Sequence, residues 1–399
     1  MKDCFPSRAR RLLRAGPSLL LTVLLGACAG PEGGQTGAFP DYQLPSLQPT
    51  VAIPPLPQEP GRGTLVLDGG GYGNPAILSR IVAEAGVDPT LCLIDTAFEG
   101  GVDLRRFFRG YEGVELRTVD VDGANADSPA LADLLRSCSG YFFGGGNPQR
   151  LSTALRPDGR DSRALGAIRE TFETEGAALS GASAGAMIVG PITLCECGAG
   201  SSMAALTYGQ LFQAPGFELV DGVLVDAHFF TRGLLGRHLY ALARNGIPIG
   251  VGIDEETAVV VPGDDGLWEV IGRRAVAVVE RPVTAAVNDL RDFTISVLSP
   301  GDRFDPYRGT FALAPDRRPV VPDGAGETGQ ITTDDIFAVN RVLSLLTRLA
   351  ESPATEAIGT SPNGLVRVTF RETDETRIYT DGSSISILHV AVSIDRVAG

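Results

Sequence analysis

The sequence predicts an α/β fold in which a mostly parallel sheet carries helices on both faces, with a small α+β module appended at the C-terminus. From residue 63, short apolar segments rich in β-branched residues alternate with helical patterns, as in parallel strands joined by crossover helices. Several predicted strands run into glycines. From about residue 306, a long helical pattern precedes alternating apolar and polar residues, which is typical of antiparallel strands.

The predicted elements follow one another without an internal repeat. The first helix, 75–86, has proline in its first turn and glycine at its end, where each is favoured. The last helix is predicted to be capped by Thr332 or Thr333. The predicted strands are 64–68, 91–97, 114–121, 140–146, 177–180, 222–230 and 247–256, followed by a hairpin at 257–272. The predicted helices are 75–86, 128–138, 161–175, 233–246 and 331–352. Antiparallel strands are predicted over 365–394.

Composition and charge limit the class of protein. The chain has 399 residues, of which 43% are hydrophobic and 21% charged, so it holds enough apolar material for a large core in one domain or two. Its net charge of -14 would repel phosphates, and no stripe of lysine or arginine compensates. We therefore expect no nucleic-acid partner.

The N-terminus has the pattern of a bacterial export signal. Four arginines between residues 8 and 14 precede an apolar run at 19–27 that is too short to span a bilayer. Residues 25–28 read LGAC, which resembles a lipobox, where the cysteine receives lipid. We expect a signal peptide over 1–27 and an exported lipoprotein anchored through Cys28 to the cell envelope, in the periplasm or at the cell surface. The alternative is an ordinary signal with a chance cysteine.

The rest of the chain is expected to divide into three parts. Residues 28–62 are rich in proline and glycine without a period, which is typical of a disordered, partly extended tether. A main folded domain is predicted over 63–309. The appended module covers 310–399, and the sequence does not disclose its role.

Four cysteines lie in the folded part, at Cys92, Cys138, Cys195 and Cys197. An exported protein can oxidise them, but the pairing cannot be read from the sequence. The spacing of Cys195 and Cys197 around Glu196 raises a metal site as a minor alternative, because no histidine lies at a suitable spacing.

The segment 181–185 has the pattern G-x-S-x-G at the end of a predicted strand and the start of a helix. In a nucleophile elbow, small neighbours allow a strained turn to lift a serine hydroxyl clear of the sheet. Ser183 is therefore a candidate nucleophile, and the amide of Ala184 a candidate donor to an oxyanion. The alternative is an ordinary strand-to-helix turn of small residues.

A general base would have to be one of three histidines. His238 lies within a helical pattern and His389 within an alternating strand, whereas His228 follows an apolar strand at its carboxyl end, where sites in α/β sheets gather. His228 is therefore the best candidate. A lone histidine at a strand end is nevertheless more often structural than catalytic.

Several acids could orient that imidazole. Asp254, Glu255 and Glu256 follow another predicted strand, and alternation puts Asp254 and Glu256 on one side and Glu255 on the other. The sequence alone does not say which side faces the site. Asp226 is nearer to His228 in sequence. Because the two residues are two positions apart in a strand, their side chains could lie on the same face without the carboxylate touching the ring.

Two glycine-rich loops follow predicted strands. The loop 69–74 lacks the third glycine of G-x-G-x-x-G, so a dinucleotide site is not expected. The loop 144–147 ends a strand, where bare amides can approach a substrate carbonyl, and Gly145 and Gly146 are candidate oxyanion donors. The alternative is a tight turn without a ligand.

Several motifs in order over about 63–305 resemble the family of cyanophycinase and its relatives, the serine exopeptidases that include aspartyl dipeptidase E. They include LVLDGGG, YFFGGGNPQRL, LSGASAGAMI, GVLVDAHFFTRGLLGRHLYAL, GVGIDEETAVVV and VLSPGDRFD. The resemblance implies a sheet like that of class I glutamine amidotransferases, with nucleophile, histidine and acid in that order. This order falls on Ser183, His228 and Glu255. The domain over 63–309 is then catalytic.

The resemblance also implies a substrate. The best-known one is cyanophycin, a poly-aspartate with arginine on each β-carboxyl, from which the enzyme would release β-Asp-Arg dipeptides without a metal or organic cofactor. The partners expected are a peptide or polymer substrate, a membrane only through the lipid anchor, and, since the sequence leaves the oligomeric state open, a second copy in a homodimer. The implied substrate-binding residues are Asn147, Gln149, Asp226, Arg232 and Arg237.

This chain departs from the family pattern in its pocket. The family's D-Q-H-F is DAHF at 226–229, its three arginines are reduced to Arg232 and Arg237 with Leu234 between them, and its GGDQ is GGNP at 145–148. The lost amides and guanidinium could have bound substrate, so we expect the substrate preference to differ more from the family's than the catalysis does. Related aspartyl or isoaspartyl peptides are the alternative substrates.

Two readings from other classes stay open. A binding lipoprotein could keep the fold and use the cleft for capture, although a binder gains nothing from keeping serine, histidine and acid together. An esterase of the α/β-hydrolase type needs its acid before its histidine, which only Asp226 offers.

Overall fold

The computed structural model describes residues 61–397 except 72, 196–200, 265 and 321–328. The predicted signal peptide over 1–27, the lipid-attachment residue Cys28 and the tether up to residue 60 lie outside the described residues. So do Glu196 and Cys197. No helix in the described part of the chain is long and apolar enough to cross a membrane.

The described residues form strands and helices that match most of the predicted elements. The helices are α1 (Pro75–Glu84), α2 (Pro129–Arg136), α3 (Pro148–Leu155), α4 (Arg163–Thr174), α5 (Ala184–Met187), α6 (Ser202–Tyr208), α7 (Leu235–Asn245) and α8 (Arg341–Ala350), with 3-10 turns at Leu104–Phe107 and Pro157–Gly159. The strands are β1 (Leu65–Asp68), β2 (Thr90–Ile94), β3 (Glu115–Thr118), β4 (Gly140–Phe143), β5 (Ala178–Ala182), β6 (Ile192–Leu194), β7 (Gln213–Pro215), β8 (Val223–Ala227), β9 (Ile249–Ile253), β10 (Thr257–Val261), β11 (Trp268–Gly272), β12 (Val276–Glu280), β13 (Phe293–Leu298), β14 (Arg303–Asp305), β15 (Thr310–Ala312), β16 (Arg318–Pro319), β17 (Ile331–Thr333), β18 (Glu356–Thr360), β19 (Val366–Arg371), β20 (Arg377–Thr380) and β21 (Ile385–Arg396).

Three of the helices begin at a side-chain cap that is followed by proline. The side chains of Asn74, Ser128 and Asn147 each accept a hydrogen bond from an amide in the first turn of α1, α2 and α3, and proline follows each of them. A side-chain cap is worth ~1 kcal/mol, and proline at the first helical position loses no backbone bond. The predicted start of α1 at Pro75 is therefore confirmed.

The first sheet has nine strands in the order β15-β14-β11-β10-β1-β5-β4-β2-β3. The five strands from β1 to β3 in this order are parallel, and β10, β11, β14 and β15 continue the sheet antiparallel. The predicted hairpin over 257–272 is β10 and β11. β5 lies between β1 and β4, so it has a parallel neighbour on each side.

The second sheet contains two strands that were expected to belong to the first. Its order is β17-β18-β19-β21-β13-β12-β9-β8, and β8 and β9 pair parallel with Ala227 opposite Ile253. The α/β class is confirmed, but the parallel strands are divided between two sheets. Only residues 254–256 separate β9 from β10, and the chain passes from the second sheet to the first within them. This connection is too short for the crossover that a parallel pair of consecutive strands would need.

The residues after 309 extend both sheets. β15 pairs with β14 in the first sheet, and β21 pairs with β13 in the second. The boundary expected at 309 therefore does not separate two sheets. The helix expected from residue 331 begins only at Arg341, because Thr332 and Thr333 lie in β17 and pair with β18 instead of capping a helix.

The core follows the alternation of side chains along the strands. Leu65 and Leu67 share a buried cluster with Val223 and Val225 of the second sheet, whereas Val66 packs on the opposite face with the helix α1. A disulfide joins Cys92 in β2 to Cys138, 46 residues later.

Candidate active site

Ser183 lies in a sharp turn between β5 and α5. Its φ of 53° and ψ of -111° are strained for a residue with a side chain. The flanking glycines allow this turn, because a Cβ on Gly181 would lie 2.3 Å from the backbone of Gly185, and one on Gly185 would lie 2.2 Å from the carbonyl oxygen of Phe143. The structure thus contains the strand-turn-helix that the motif G-x-S-x-G requires.

His228 and Glu255 extend a hydrogen-bonded chain from this serine. Nε2 of His228 lies 2.8 Å from Oγ of Ser183, and Nδ1 lies 2.8 Å from Oε1 of Glu255. His228 follows β8 and Glu255 follows β9, so the two neighbouring parallel strands of the second sheet present both groups at the same edge. With a proton on Nδ1 donated to the carboxylate, Nε2 has its lone pair towards the serine hydroxyl.

The electrostatics favour an ionised Glu255. The hydrogen bond from His228 lowers the pKa of this carboxyl, and the positive charges of Arg232 and Arg274 act in the same direction, against the opposing effect of partial burial. A carboxylate beside Nδ1 stabilises the imidazolium that forms when His228 takes a proton. The arrangement can therefore activate a serine hydroxyl.

The neighbouring acids have other partners. Asp254 is fully buried, accepts a hydrogen bond from the amide of Thr231 at 2.8 Å and pairs with Arg274 at 3.4 Å. Glu256 has a left-handed backbone, with φ of 58°, and its side chain lies near Gly71. Among the three acids left open by the sequence, Glu255 is thus the one that contacts the imidazole.

The other two histidines lie in different surroundings. His238 is fully buried in α7 and packs edge-on against Phe229. His389 lies in β21 beside the ring of Phe311. Both occupy the helix and strand that the sequence predicts for them.

Three candidate oxyanion donors surround the serine. Ala184 begins α5, and Gly145 is so close that a Cβ on it would lie 3.4 Å from Cβ of Ser183. Gly146 has φ of 138° and lines the same cleft. Within the part of the chain that the structure describes, the amides of these three residues donate to no protein acceptor. They can therefore donate to a bound ligand.

The cleft in front of Ser183 has a volume of about 240 Å³. Of the expected substrate-binding residues, Asn147, Arg232 and Arg237 line it, whereas Gln149 lines a separate cavity of about 780 Å³ that also reaches Asn147. The other members of the lining are Pro148, Met187, Leu194, Cys195 and Ala227. None of them was assigned to substrate binding from the sequence, although Pro148 and Ala227 stand at two positions where the chain departs from the family pattern.

Asp226 requires a correction, because it is fully buried and does not line the cleft. Its Oδ1 lies 2.6 Å from Nη2 of Arg237, which is itself only 2% exposed, and its Oδ2 lies 3.6 Å from Nδ1 of His238. Burial acts to raise the pKa of Asp226, but the positive charge of Arg237 and the interaction with His238 outweigh it and lower the pKa to about 2. Asp226 therefore supports Arg237 and does not contact the imidazole of His228, which removes the acid that an esterase order required.

A second feature missed from the sequence is the turn after β1. The glycines at 69–71 were considered only as a dinucleotide motif, but they lie against the site. A Cβ on Gly70 would lie 2.4 Å from Cε1 of His228, and one on Gly71 would lie 2.9 Å from Oε1 of Glu256. The position of these glycines at the carboxyl end of a predicted parallel strand could have indicated that they lie at the site, because functional sites in α/β sheets gather at these ends.

The described residues contain no group of three or more histidine, cysteine, aspartate or glutamate side chains placed to hold a metal ion. Cys195 lies 3.1 Å, sulfur to oxygen, from Oδ1 of Asn147. The other two members of the suggested Cys195 to Cys197 metal pattern lie outside the described residues.

The chain is similar to several known peptidases and cyanophycinases. The model of peptidase family S51 matches residues 74–267. The cyanophycinase of Trichormus variabilis is 28% identical over 287 residues, which cover 67% of this chain and 93% of the relative. The cyanophycinase of Synechococcus elongatus is 28% identical over 249 residues, covering 60% and 75%. A crystal structure of a peptidase from an acI-B1 Actinobacterium is 26% identical, with a TM-score of 0.44, and covers 55% of this chain and 92% of that one.

Proposed function

We propose that Ser183 is the nucleophile, His228 the general base and Glu255 the residue that orients the imidazole. The matches to peptidase family S51 and to cyanophycinases identify the chain as a serine-type peptidase. The predicted relationship to the cyanophycinase family is confirmed by these matches. The observation that carries the assignment of roles is the continuous chain of two 2.8 Å contacts from the serine hydroxyl through the imidazole to the carboxylate.

In this mechanism, Oγ of Ser183 attacks the carbonyl carbon of the scissile bond while Nε2 of His228 takes its proton. The amides of Gly145, Gly146 and Ala184 are proposed to donate to the oxyanion. Nε2 then returns the proton to the leaving amine, and an acyl-enzyme is left on the serine. A water molecule, deprotonated by the same nitrogen, then attacks the ester carbon. The bond to Oγ of Ser183 breaks, Nε2 gives its proton to Oγ, and the acid product leaves.

We propose an aspartyl or isoaspartyl peptide as the substrate, with cyanophycin as the first candidate. Relatives named cyanophycinase support this, and so does Arg232, which lines the cleft, since a guanidinium binds a carboxylate with paired hydrogen bonds. The cleft of about 240 Å³ is small, below the ~300–1,000 Å³ usual for ligand pockets. A cleft of that size suits one or two residues at the end of a chain.

The test of the substrate is direct. Purified protein is incubated with cyanophycin and with a library of β-aspartyl dipeptides, and the products are identified by mass. Release of β-Asp-Arg dipeptides from the polymer supports cyanophycin. Cleavage of the dipeptides alone moves the proposal to isoaspartyl peptides, and cleavage of neither by a protein that reacts with a fluorophosphonate at Ser183 rejects both substrates.

We also propose that the protein acts outside the cytoplasm, anchored by lipid on Cys28. The lipobox pattern supports this, as does the disulfide between Cys92 and Cys138, because disulfides persist mainly in oxidising compartments. Incorporation of labelled palmitate into the wild-type protein, and its loss in Cys28→Ala, is the expected result. A label that persists in Cys28→Ala, or a wild-type protein that takes up none, contradicts the anchor.

A further inference from the structure

The turn that follows β1 holds all three arms of the site through its backbone. The carbonyls at 68–70, taken in order, accept hydrogen bonds from the amides of Ser183, His228 and Glu256, at 2.9, 3.0 and 2.8 Å. Ser183 follows β5 of the first sheet, and the other two residues follow β8 and β9 of the second. Three successive carbonyls therefore connect the nucleophile with the segments that carry the base and the acid.

The three donors share an unusual backbone conformation. Ser183, His228 and Glu256 have φ angles of 53°, 55° and 58°, in the left-handed region that side chains disfavour. Such a residue costs ~1–3 kcal/mol and persists only where its surroundings hold it. Each of the three is held at its amide by the same turn.

The turn is itself fixed by a buried carboxyl. Oδ1 of Asp68 accepts a hydrogen bond from the amide of Gly70 at 2.9 Å, and Asp68 is 5% exposed. Gly70 has φ of 97°, and the space where its side chain would be is filled by the imidazole of His228. Any change in the path of the turn at Gly70 therefore moves the imidazole or the backbone of Glu256.

We propose that Asp68 is a positioning residue for the proton transfer, which sets the distance from Ser183 to His228 by fixing the turn 68–70. This rests on the proposed roles of Ser183 and His228. Asp68 lies behind the turn and is not in the lining of the cleft, so it acts on the reacting atoms only through the backbone. Without an acceptor, the buried amide of Gly70 costs ~1–3 kcal/mol, which a shift of the turn towards another partner relieves.

The test compares two uncharged substitutions whose side chains branch at the same atom. Asp68→Asn keeps an oxygen that accepts from Gly70, and Asp68→Leu removes it. The readout is reaction with a fluorophosphonate, which separates the affinity for the probe from the first-order rate of bond formation at Ser183. We expect Asp68→Asn to stay within ~5-fold of the wild-type rate and Asp68→Leu to lose ~100-fold with unchanged affinity, since a displacement of about 1 Å costs that much.

Asp305 provides the matched control. It ends β14 in the same sheet, is 6% exposed, and its Oδ1 accepts from the amide of Tyr307, two residues on, at 2.9 Å. Asp305→Leu should leave the rate within ~2-fold, because this turn does not contact the site.

Each outcome bears on one claim. Equal rates for folded Asp68→Leu and Asp68→Asn overturn the positioning role, as does an equal loss in Asp305→Leu. If Asp68→Leu unfolds while Asp305→Leu stays folded, Asp68 serves the fold and the proposal also fails. A wild-type protein that does not react at Ser183 instead contradicts the proposed nucleophile, so the two failures are distinguishable.

Discussion

The two sheets contribute different parts of the site and hold them in different ways. In the first sheet, Ser183 and the neighbouring amides lie in turns where glycines allow close backbone contacts. In the second sheet, His228 and Glu255 stand at the ends of two neighbouring strands, beside the buried pair of Asp226 and Arg237. Each sheet fixes its own groups, so the placement of one sheet against the other decides whether the serine meets the imidazole.

The largest expected effect comes from removing the base that the second sheet supplies. His228→Ala should reduce turnover by ~10⁴-fold or more, with the fold intact, because the serine loses its proton acceptor while the first sheet is unchanged. Turnover is compared with that of Ser183→Ala, and circular dichroism checks the fold. Near-normal activity in His228→Ala would mean that another base operates and would end the assignment of the second sheet's role.

The next largest effect distinguishes the roles of Glu255 and Asp254 in the second sheet. Glu255→Gln should reduce kcat by ~10²–10⁴-fold, because an amide neither fixes the tautomer of His228 nor stabilises its charge. Asp254→Asn is the neighbouring control and should change kcat by less than ~10-fold, since Asp254 contacts Thr231 and Arg274 instead. If kcat falls in Asp254→Asn and not in Glu255→Gln, the orienting acid is Asp254.

A third prediction tests whether the two sheets unfold together. Phe370 in β19 is fully buried, and Phe370→Ala should lower the free energy of unfolding by ~3–5 kcal/mol. The single tryptophan, Trp268, lies in the first sheet and reports its unfolding in urea by fluorescence. We expect one transition, shifted to lower urea.

The control for that experiment is Val283→Ala, at a position that is 97% exposed, which should not shift the transition. If the fluorescence of Trp268 reports an unshifted transition in Phe370→Ala while circular dichroism detects an earlier one, the strands after 309 form an independent unit, against the pairing of β21 with β13.

The smallest expected effect is a pH-dependent change in stability caused by Asp68, which precedes the turn between the two sheets. Burial raises the pKa of Asp68 to about 7, the charge of Glu256 adds to this, and the amide of Gly70 opposes it. Between the unfolded pKa near 4 and a pH of about 7, the folded state holds more protons than the unfolded state, so this carboxyl makes the wild type less stable as the pH rises.

Asp68→Asn lacks this titration. Its stability relative to the wild type should therefore increase between pH 5 and 8, by up to a few kcal/mol at ~1.4 kcal/mol per pKa unit. Urea unfolding at pH 5, 6, 7 and 8 measures the difference. A difference that stays constant over this range contradicts the raised pKa.

Much of the first sheet's contribution could be predicted from the sequence. The motif around Ser183 fixes the strand, the turn and the helix because each of its glycines has a steric reason. His228 could be chosen by its position after an apolar strand. The choice of Glu255 required the family resemblance, because the left-handed backbone at Glu256 ends the regular alternation on which the sequence argument relied.

The remaining features depend on contacts between distant parts of the chain. β13 and β21 are paired although about 90 residues separate them in the sequence. A local sequence pattern does not predict which distant strands become neighbours. The bonds from the turn 68–70 to three segments use backbone atoms, which any residue type provides. The burial of Asp226 also depends on the packing of α7, which brings Arg237 to it.

The most direct test of the central claim is a measurement of where and how fast a fluorophosphonate reacts. The account predicts one adduct, on Ser183, that forms rapidly in the wild type and is absent from His228→Ala under the same conditions. A folded wild-type protein that forms no adduct, or an adduct on Ser183 that forms equally fast without His228, would contradict the alignment of the two sheets as a catalytic centre.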